Sequence, residues 1–215
     1  MADALERLRQ LGIVPVIVIE DAEDAVPLAR ALVEGGLPCA EVTFRTAAAP
    51  EALRRIAAEF PEMLAGAGTV LTPEQAAQAR DAGAKFVVSP GFNAAVVDWC
   101  QENGVPVFPG VCTPTEIEMA LGKGLRTVKF FPAEPIGGLP YLKAIAAPYG
   151  MMEFIPTGGI GAAQLEKYLG FGPVVAVGGS WMVSGEWIRS RDWDRVRREV
   201  ESAVRAVAET TGAER

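Results

Sequence analysis

The stretch "RTVKFFPAEPIGGLPYLKAIAAPYGMMEFIPTG", residues 126–158, decides the fold. It opens on an apolar run, "RTVKFF" (126–131), and passes through a helix-forming segment, "GLPYLKAIAAPYG" (138–150). It then returns to a second apolar run, "EFIPTG" (153–158). Two short runs around one helix-length segment read as a β-α-β unit, and strands joined by such a crossover lie parallel. The first run also raises a chemical question. Lys129 sits between Val128 and the pair Phe130, Phe131, and lysine is seldom buried without a partner.

The same alternation continues in both directions. Six further runs read as strands: "IVPVIVI" (13–19), "AEVTF" (40–44), "MLAGAG" (63–68), "KFVVS" (85–89), "VPVFPG" (105–110) and "VVAVGG" (174–179). Helical spacing or composition marks the segments between them, such as "DAVPLARALVEGG" (24–36), "APEALRRIAAEF" (49–60) and "NAAVVDWCQENG" (93–104). Most close on glycine, the preferred residue just past a helix. "TPEQ" (72–75) and "TPTE" (113–116) each pair an N-cap threonine with a proline at the first helical position. "DWDRVRREVESAVRAVAE" (192–209) predicts a final amphipathic helix, and the charged "ERLR" (6–9) an initial one.

Eight strand–helix units predict a parallel sheet with right-handed crossovers, closed into an eight-stranded β/α (TIM) barrel. The rival, an open doubly wound sheet, calls for a glycine-rich fingerprint after the first strand. "IEDAEDAV" (19–26) carries none. No linker, low-complexity segment or sequence repeat divides the chain. The expectation is one barrel domain over residues 1–215, with a helix at each end.

Composition narrows the chemistry. Half the residues are hydrophobic and 22% are charged, a globular profile. No apolar run reaches the ~18 residues of a membrane span, and the N-terminal residues do not read as a secretion signal. A cytoplasmic protein is expected. A net charge of −7 argues against a nucleic-acid partner. It also means that an anionic substrate needs a local cluster of arginines and backbone N–H groups. Cys39, Cys100 and Cys112 are scattered, against a disulfide framework or a zinc site. There is no histidine, which rules out a Ser-His-Asp triad and any histidine-ligated metal. Acid–base work falls to carboxylate, lysine, tyrosine or cysteine.

In β/α barrels the active site lies at the C-terminal ends of the strands. Lys85 begins its strand, and Lys123, Lys143 and Lys167 lie in helical segments. Only Lys129 falls late in a strand. It could snorkel outward between helices, or it could be an amine held in a low-dielectric barrel mouth. Burial disfavours the charged form of an amine, and a neutral amine attacks carbonyls to form a Schiff base. In "EVTFRT" (41–46) a period of two puts Glu41, Thr43 and Arg45 on one face. That face either looks into the barrel or, in the opposite register, carries a surface ion pair. A charge inside a barrel strand is costly unless paired. Inward, Glu41 is a general base and Arg45 a bidentate carboxylate holder. Thr69, after "GAG", could orient a carboxylate or simply enter the next helix. "PTGGIG" (156–161) and "VGGSW" (177–181) end the last two strands. Barrels often bind phosphate there, so Thr157, Gly158, Gly159, Gly179 and Ser180 are candidates, although tight turns use Gly-Gly too. An amine, a carboxylate holder and a phosphate cradle together suit a phosphorylated keto acid.

"VPVIVIEDAEDAVPLARALVEGG", "EVTFRT", "GAGTVLTPEQ", "SPGFN", "VKFFPAE", "PTGGI" and "GGSW" occur in order from about residue 13 to 182. Together they resemble the 2-keto-3-deoxy-6-phosphogluconate aldolase family, whose members often also act as 4-hydroxy-2-oxoglutarate aldolases. The resemblance implies a class I aldolase, free of metal and cofactor, on a homotrimeric β/α barrel. It implies Lys129 as the Schiff-base lysine and Glu41 as the general acid/base. Arg45 and Thr69 would hold the pyruvate carboxylate, Gly158, Gly159 and Ser180 the phosphate, and Thr157 would lie near the sugar hydroxyls. Two rivals stay open on the residues alone: a sugar-phosphate isomerase or epimerase, and a silent barrel that binds a phosphorylated metabolite.

Overall fold

The computed structural model describes residues 2–212. Helix α1 (Ala2–Leu11) leads into β1 (Ile13–Ile17), and α2 (Ala25–Glu34), β2 (Cys39–Thr43), α3 (Ala49–Glu59), β3 (Leu64–Gly68) and α4 (Pro73–Asp81) follow. The alternation continues through β4 (Val87–Val88), α5 (Ala94–Glu102), β5 (Val107–Phe108), β6 (Gly110–Val111) and α6 (Pro114–Gly122). It closes with β7 (Thr127–Phe130), α7 (Gly138–Ala146), β8 (Glu153–Pro156), α8 (Ala162–Leu169), β9 (Val177–Gly179), α9 (Gly185–Arg189) and α10 (Trp193–Thr211).

All strand pairs are parallel, in the orders β5-β4-β3-β2-β1-β9 and β6-β7-β8. β5 and β6 are two halves of one expected strand, "VPVFPG". Pro109 separates them because proline has no N–H for the ladder, yet its carbonyl still accepts from Lys129 N at 3.0 Å. On the other side, parallel bridges Phe154↔Val174 and Thr157↔Gly178 join β8 to β9. Eight parallel positions thus form a ring, as expected. Several strands are shorter than the apolar runs that announced them: "KFVVS" contracts to Val87–Val88 and "VVAVGG" to Val177–Gly179. β4 keeps the middle of its run and β9 the C-terminal half, with Val174 joined to β8 only through its single bridge to Phe154.

The helix signals hold. Thr72 and Thr113 cap α4 and α6 through their side chains, and Glu116 completes a capping box with Thr113. The final helix buries Val196, Val200, Ala203 and Val207, a 4-3-4 spacing that turns one stripe inward. It packs against α2 and α8 and completes the outer layer. No helix among the described residues is long and apolar enough to cross a membrane.

Inside the barrel, Phe86 is fully buried and meets Phe108 edge-on, with ring centroids 6.1 Å apart. Gly66 on β3 makes room for it: a Cβ there would lie 2.4 Å from Phe86 Cζ. Gly66→Ala should therefore lower stability by ~1–3 kcal/mol. Pairing it with Phe86→Leu should recover part of that loss in urea titrations, and fully additive losses would contradict the packing described.

Candidate active site

Lys129 lies on β7 in register with Gly110 and Ile155. It is 5% exposed, so its amine points into the barrel and not out between the helices. Nζ stands 3.3 Å from Glu41 Oε1 and 5.1 Å from the centroid of the Phe131 ring. Glu41, on β2, is 3% exposed. The two groups are 88 residues apart in sequence and face each other across the barrel interior. Gly68 leaves the space that the carboxylate fills, since a Cβ there would lie 2.2 Å from Glu41 Oε1. The other lysines are placed as expected. Lys85 Nζ donates to Pro61 O at the N-terminal rim, Lys123 pairs with Asp98 at 2.6 Å, Lys143 lies over Phe171, and Lys167 is exposed on α8.

The inward register of β2 is the observed one. Thr43 is buried beside Glu41, and its hydroxyl donates to Ile17 O at 2.8 Å. Two residues further, Arg45 leaves the strand and becomes exposed. Its Nε donates to Thr69 Oγ1 at 3.3 Å, so the structure joins these two candidates. Among the described residues no carboxylate pairs with Arg45. Thr69 has φ +57°, a left-handed conformation uncommon for a β-branched residue. A simple helix entry needs no such conformation.

The glycine candidates meet where β8 and β9 end. The Thr157↔Gly178 bridge sets the two loops side by side. Thr157 is buried, and Gly158 and Gly159 follow at φ +106° and +79°, a region glycine enters without strain. Gly179 ends β9, and Ser180 is exposed just beyond it. Gly178 is a residue that the sequence reading missed. A Cβ there would lie 2.2 Å from Thr157 Oγ1, so the first glycine of "VGG" lets the two loops touch. Phe131 was missed too, although a period of two along "RTVKFF" already puts it on the same face as Lys129.

The three cysteines are disfavoured as thiolates. Burial pushes the Cys39 thiol well above its ordinary value, with Glu41 adding to the effect, and burial raises Cys100 to about 11. Both thiols stay protonated at neutral pH. Burial and neighbouring Glu116 also raise Cys112. Among the described residues no group of three His, Cys, Asp or Glu side chains is arranged to hold a metal ion.

The chain that carries this arrangement has close counterparts among known proteins. The family described as KDPG and KHG aldolase matches residues 5–199. The 2-dehydro-3-deoxy-phosphogluconate aldolase of Treponema pallidum is 55% identical over 181 residues, covering 84% of this chain and 85% of that protein. The KHG/KDPG aldolase of Escherichia coli K12 is 44% identical over 192 residues, covering 89% and 90%. Among solved structures, the KDPG aldolase of Legionella pneumophila, with pyruvate captured as a covalent carbinolamine, superposes with a TM-score of 0.90. It is 40% identical, over 93% of this chain and 97% of that one. This chain belongs to the KDPG and KHG aldolase family.

Proposed function

We propose that this protein is a class I aldolase that cleaves 2-keto-3-deoxy-6-phosphogluconate to pyruvate and glyceraldehyde 3-phosphate. We assign it 4-hydroxy-2-oxoglutarate as a second substrate, cleaved to pyruvate and glyoxylate. The observation that carries this reading is the buried pair Lys129–Glu41 at 3.3 Å. An isomerase or epimerase of sugar phosphates needs no such imine-forming lysine. The carbinolamine captured in the Legionella pneumophila relative supports the same chemistry.

Glu41 takes a proton from Lys129 directly across the 3.3 Å contact. The neutral amine then adds to the C2 ketone, and the ketone oxygen, protonated, becomes the carbinolamine hydroxyl. The proton held by Glu41 passes to that hydroxyl, which leaves as water and gives an iminium, an electron sink adjacent to C3, with Glu41 again a carboxylate. Glu41, directly or through a water, removes the C4 hydroxyl proton. The C3–C4 bonding electrons flow into the iminium as C4 becomes the aldehyde carbon. Glyceraldehyde 3-phosphate departs, the enamine is protonated at C3, and hydrolysis frees pyruvate and the lysine. One carboxyl group serves as base and then acid because the proton returns within the cycle.

Arg45 and Thr69 hold the substrate carboxylate. Gly158, Gly159, Gly179 and Ser180 receive the phosphate through backbone N–H groups and the serine hydroxyl. Thr157, whose hydroxyl makes only a long 3.4 Å bond to Ile155 O among the described residues, faces the sugar hydroxyls. Burial of the reacting pair shields the iminium from bulk water and strengthens its interaction with Glu41.

A panel of keto-acid aldols assayed by coupled pyruvate detection tests this reading. Turnover of 2-keto-3-deoxy-6-phosphogluconate is expected, undiminished by prolonged chelation. Lys129→Ala should abolish it, and Glu41→Gln should lower kcat about 10²–10⁴-fold. Arg45→Ala should raise KM about 10- to 100-fold with a smaller change in kcat. Full activity in Lys129→Ala, or activity lost to chelation and restored by a divalent ion, would contradict the assignment. The family resemblance also supports a homotrimer. Light scattering should give three times the mass of the chain, and a monomeric mass would overturn that.

A further inference from the structure

Between the lysine strand and the phosphate loop lies a contact that the proposed mechanism does not use. Tyr168, in the last turn of α8, is 1% exposed. Its hydroxyl donates to Glu134 Oε1 at 2.5 Å. Glu134 follows β7 in a short 3-10 turn, Glu134–Ile136, five residues after Lys129. The two partners are 34 residues apart in sequence, and the glycine loop 158–161 lies between them along the chain.

The backbone around Glu134 grips that loop. Ala133 N donates to Thr157 O at 2.8 Å, and Glu134 N donates to Gly158 O at 2.9 Å. These bonds extend the β7–β8 ladder past the strand ends. Contacts are close on the side-chain side as well. A Cβ at Gly159 would lie 2.8 Å from Glu134 Cβ, and one at Gly158 would lie 3.1 Å from Pro132 Cα. The two loops are therefore stacked, with segment 131–134 as the floor of the glycine loop.

A carboxylate next to a phosphate cradle is a hazard, because two anions at close range repel. Here the carboxylate is turned away from the loop, toward the outer groove between α7 and α8. Its Oε1 lies 2.9 Å from where a Cβ of Gly138 would be, at the start of α7. Tyr168 holds it there. Burial and the carboxylate itself push the Tyr168 phenol above its ordinary value, so it remains a donor throughout the neutral range. A hydrogen bond to a charged acceptor is among the stronger ones in proteins.

We infer that Tyr168 and Glu134 are positioning residues for the phosphate half of the substrate. Their bond fixes the glycine loop after β8 on the floor built by 131–134, and it keeps the Glu134 carboxylate out of the cradle. The inference rests on the phosphate assignment made above. It distinguishes the two substrates, since only one carries a phosphate.

Steady-state kinetics on the full-length enzyme test it, with 2-keto-3-deoxy-6-phosphogluconate and 4-hydroxy-2-oxoglutarate measured in parallel. Tyr168→Phe, which removes only the hydroxyl, should raise KM for the phosphorylated substrate about tenfold. Its kcat should stay within about twofold, as should kcat/KM for 4-hydroxy-2-oxoglutarate. Glu134→Ala should show the same selective loss. Glu134→Gln, whose amide oxygen still accepts from Tyr168, should retain most of the affinity. Equal losses on both substrates, no loss on either, or unfolding of both Tyr168→Phe and Glu134→Ala would reduce the pair to a structural role and overturn the inference. If the wild-type enzyme cleaves neither substrate, the functional reading fails first; if it cleaves both and the variants are unselective, only the clamp fails.

Discussion

An ammonium and a carboxylate enclosed in one protein interior constrain everything around them. Removing either charge from water is expensive, and the pair persists only where geometry lets each satisfy the other. Lys129 and Glu41 meet at 3.3 Å with side chains 7% and 4% exposed. No buried side-chain nitrogen or oxygen among the described residues lacks a partner. The barrel makes this possible by bringing β2 and β7 to face each other across one interior. Gly68 leaves the void that the carboxylate occupies, so the site depends on an absent side chain as well as on two present ones. In the proposed mechanism the same contact serves the amine, since a carboxylate already lies beside it.

The charge distribution follows from the same constraint. A chain of net charge −7 repels anions, yet the proposed substrate is anionic at both ends. Attraction must be local. Arg45 stands exposed at one edge of the mouth with no carboxylate partner among the described residues, and in the proposed function backbone N–H groups of the two glycine loops serve the other edge. Glu134, a carboxylate packed against the glycine loop after β8, is bonded to Tyr168. The lysine strand and the loop are structurally linked: β7 supplies the amine, and the residues just after it bond to the glycine loop that follows β8.

Much of this was legible in the residues. The alternation of apolar runs with capped helical segments carried the barrel. The period-two pattern Glu41, Thr43, Arg45 carried the inward register of β2, and the late position of Lys129 in "RTVKFF" marked the amine that the fold buries beside Glu41. Chain-local signals of this kind survive folding because each reports one element's own burial. Three features were not legible, for three physical reasons. The split at Pro109 comes from a missing N–H, and the shortened β4 and β9 depend on where ladder bonds form to neighbouring strands, which a run's hydrophobicity does not report. The space-making roles of Gly68 and Gly178 exist only against neighbours, Glu41 and Thr157, on other strands. The Glu134–Tyr168 bond links a loop to a helix turn across 34 residues, and Tyr168 looks like any apolar-face residue of α8.

The central claim is that the amine between Val128 and Phe130 becomes covalently bound to a keto acid. Incubating the protein with pyruvate and sodium borohydride, followed by peptide mass mapping, tests it most directly. The account predicts one three-carbon adduct, on Lys129, with Lys85, Lys123, Lys143 and Lys167 unmodified. An adduct on any of those four, or none from an enzyme that turns over, would contradict it.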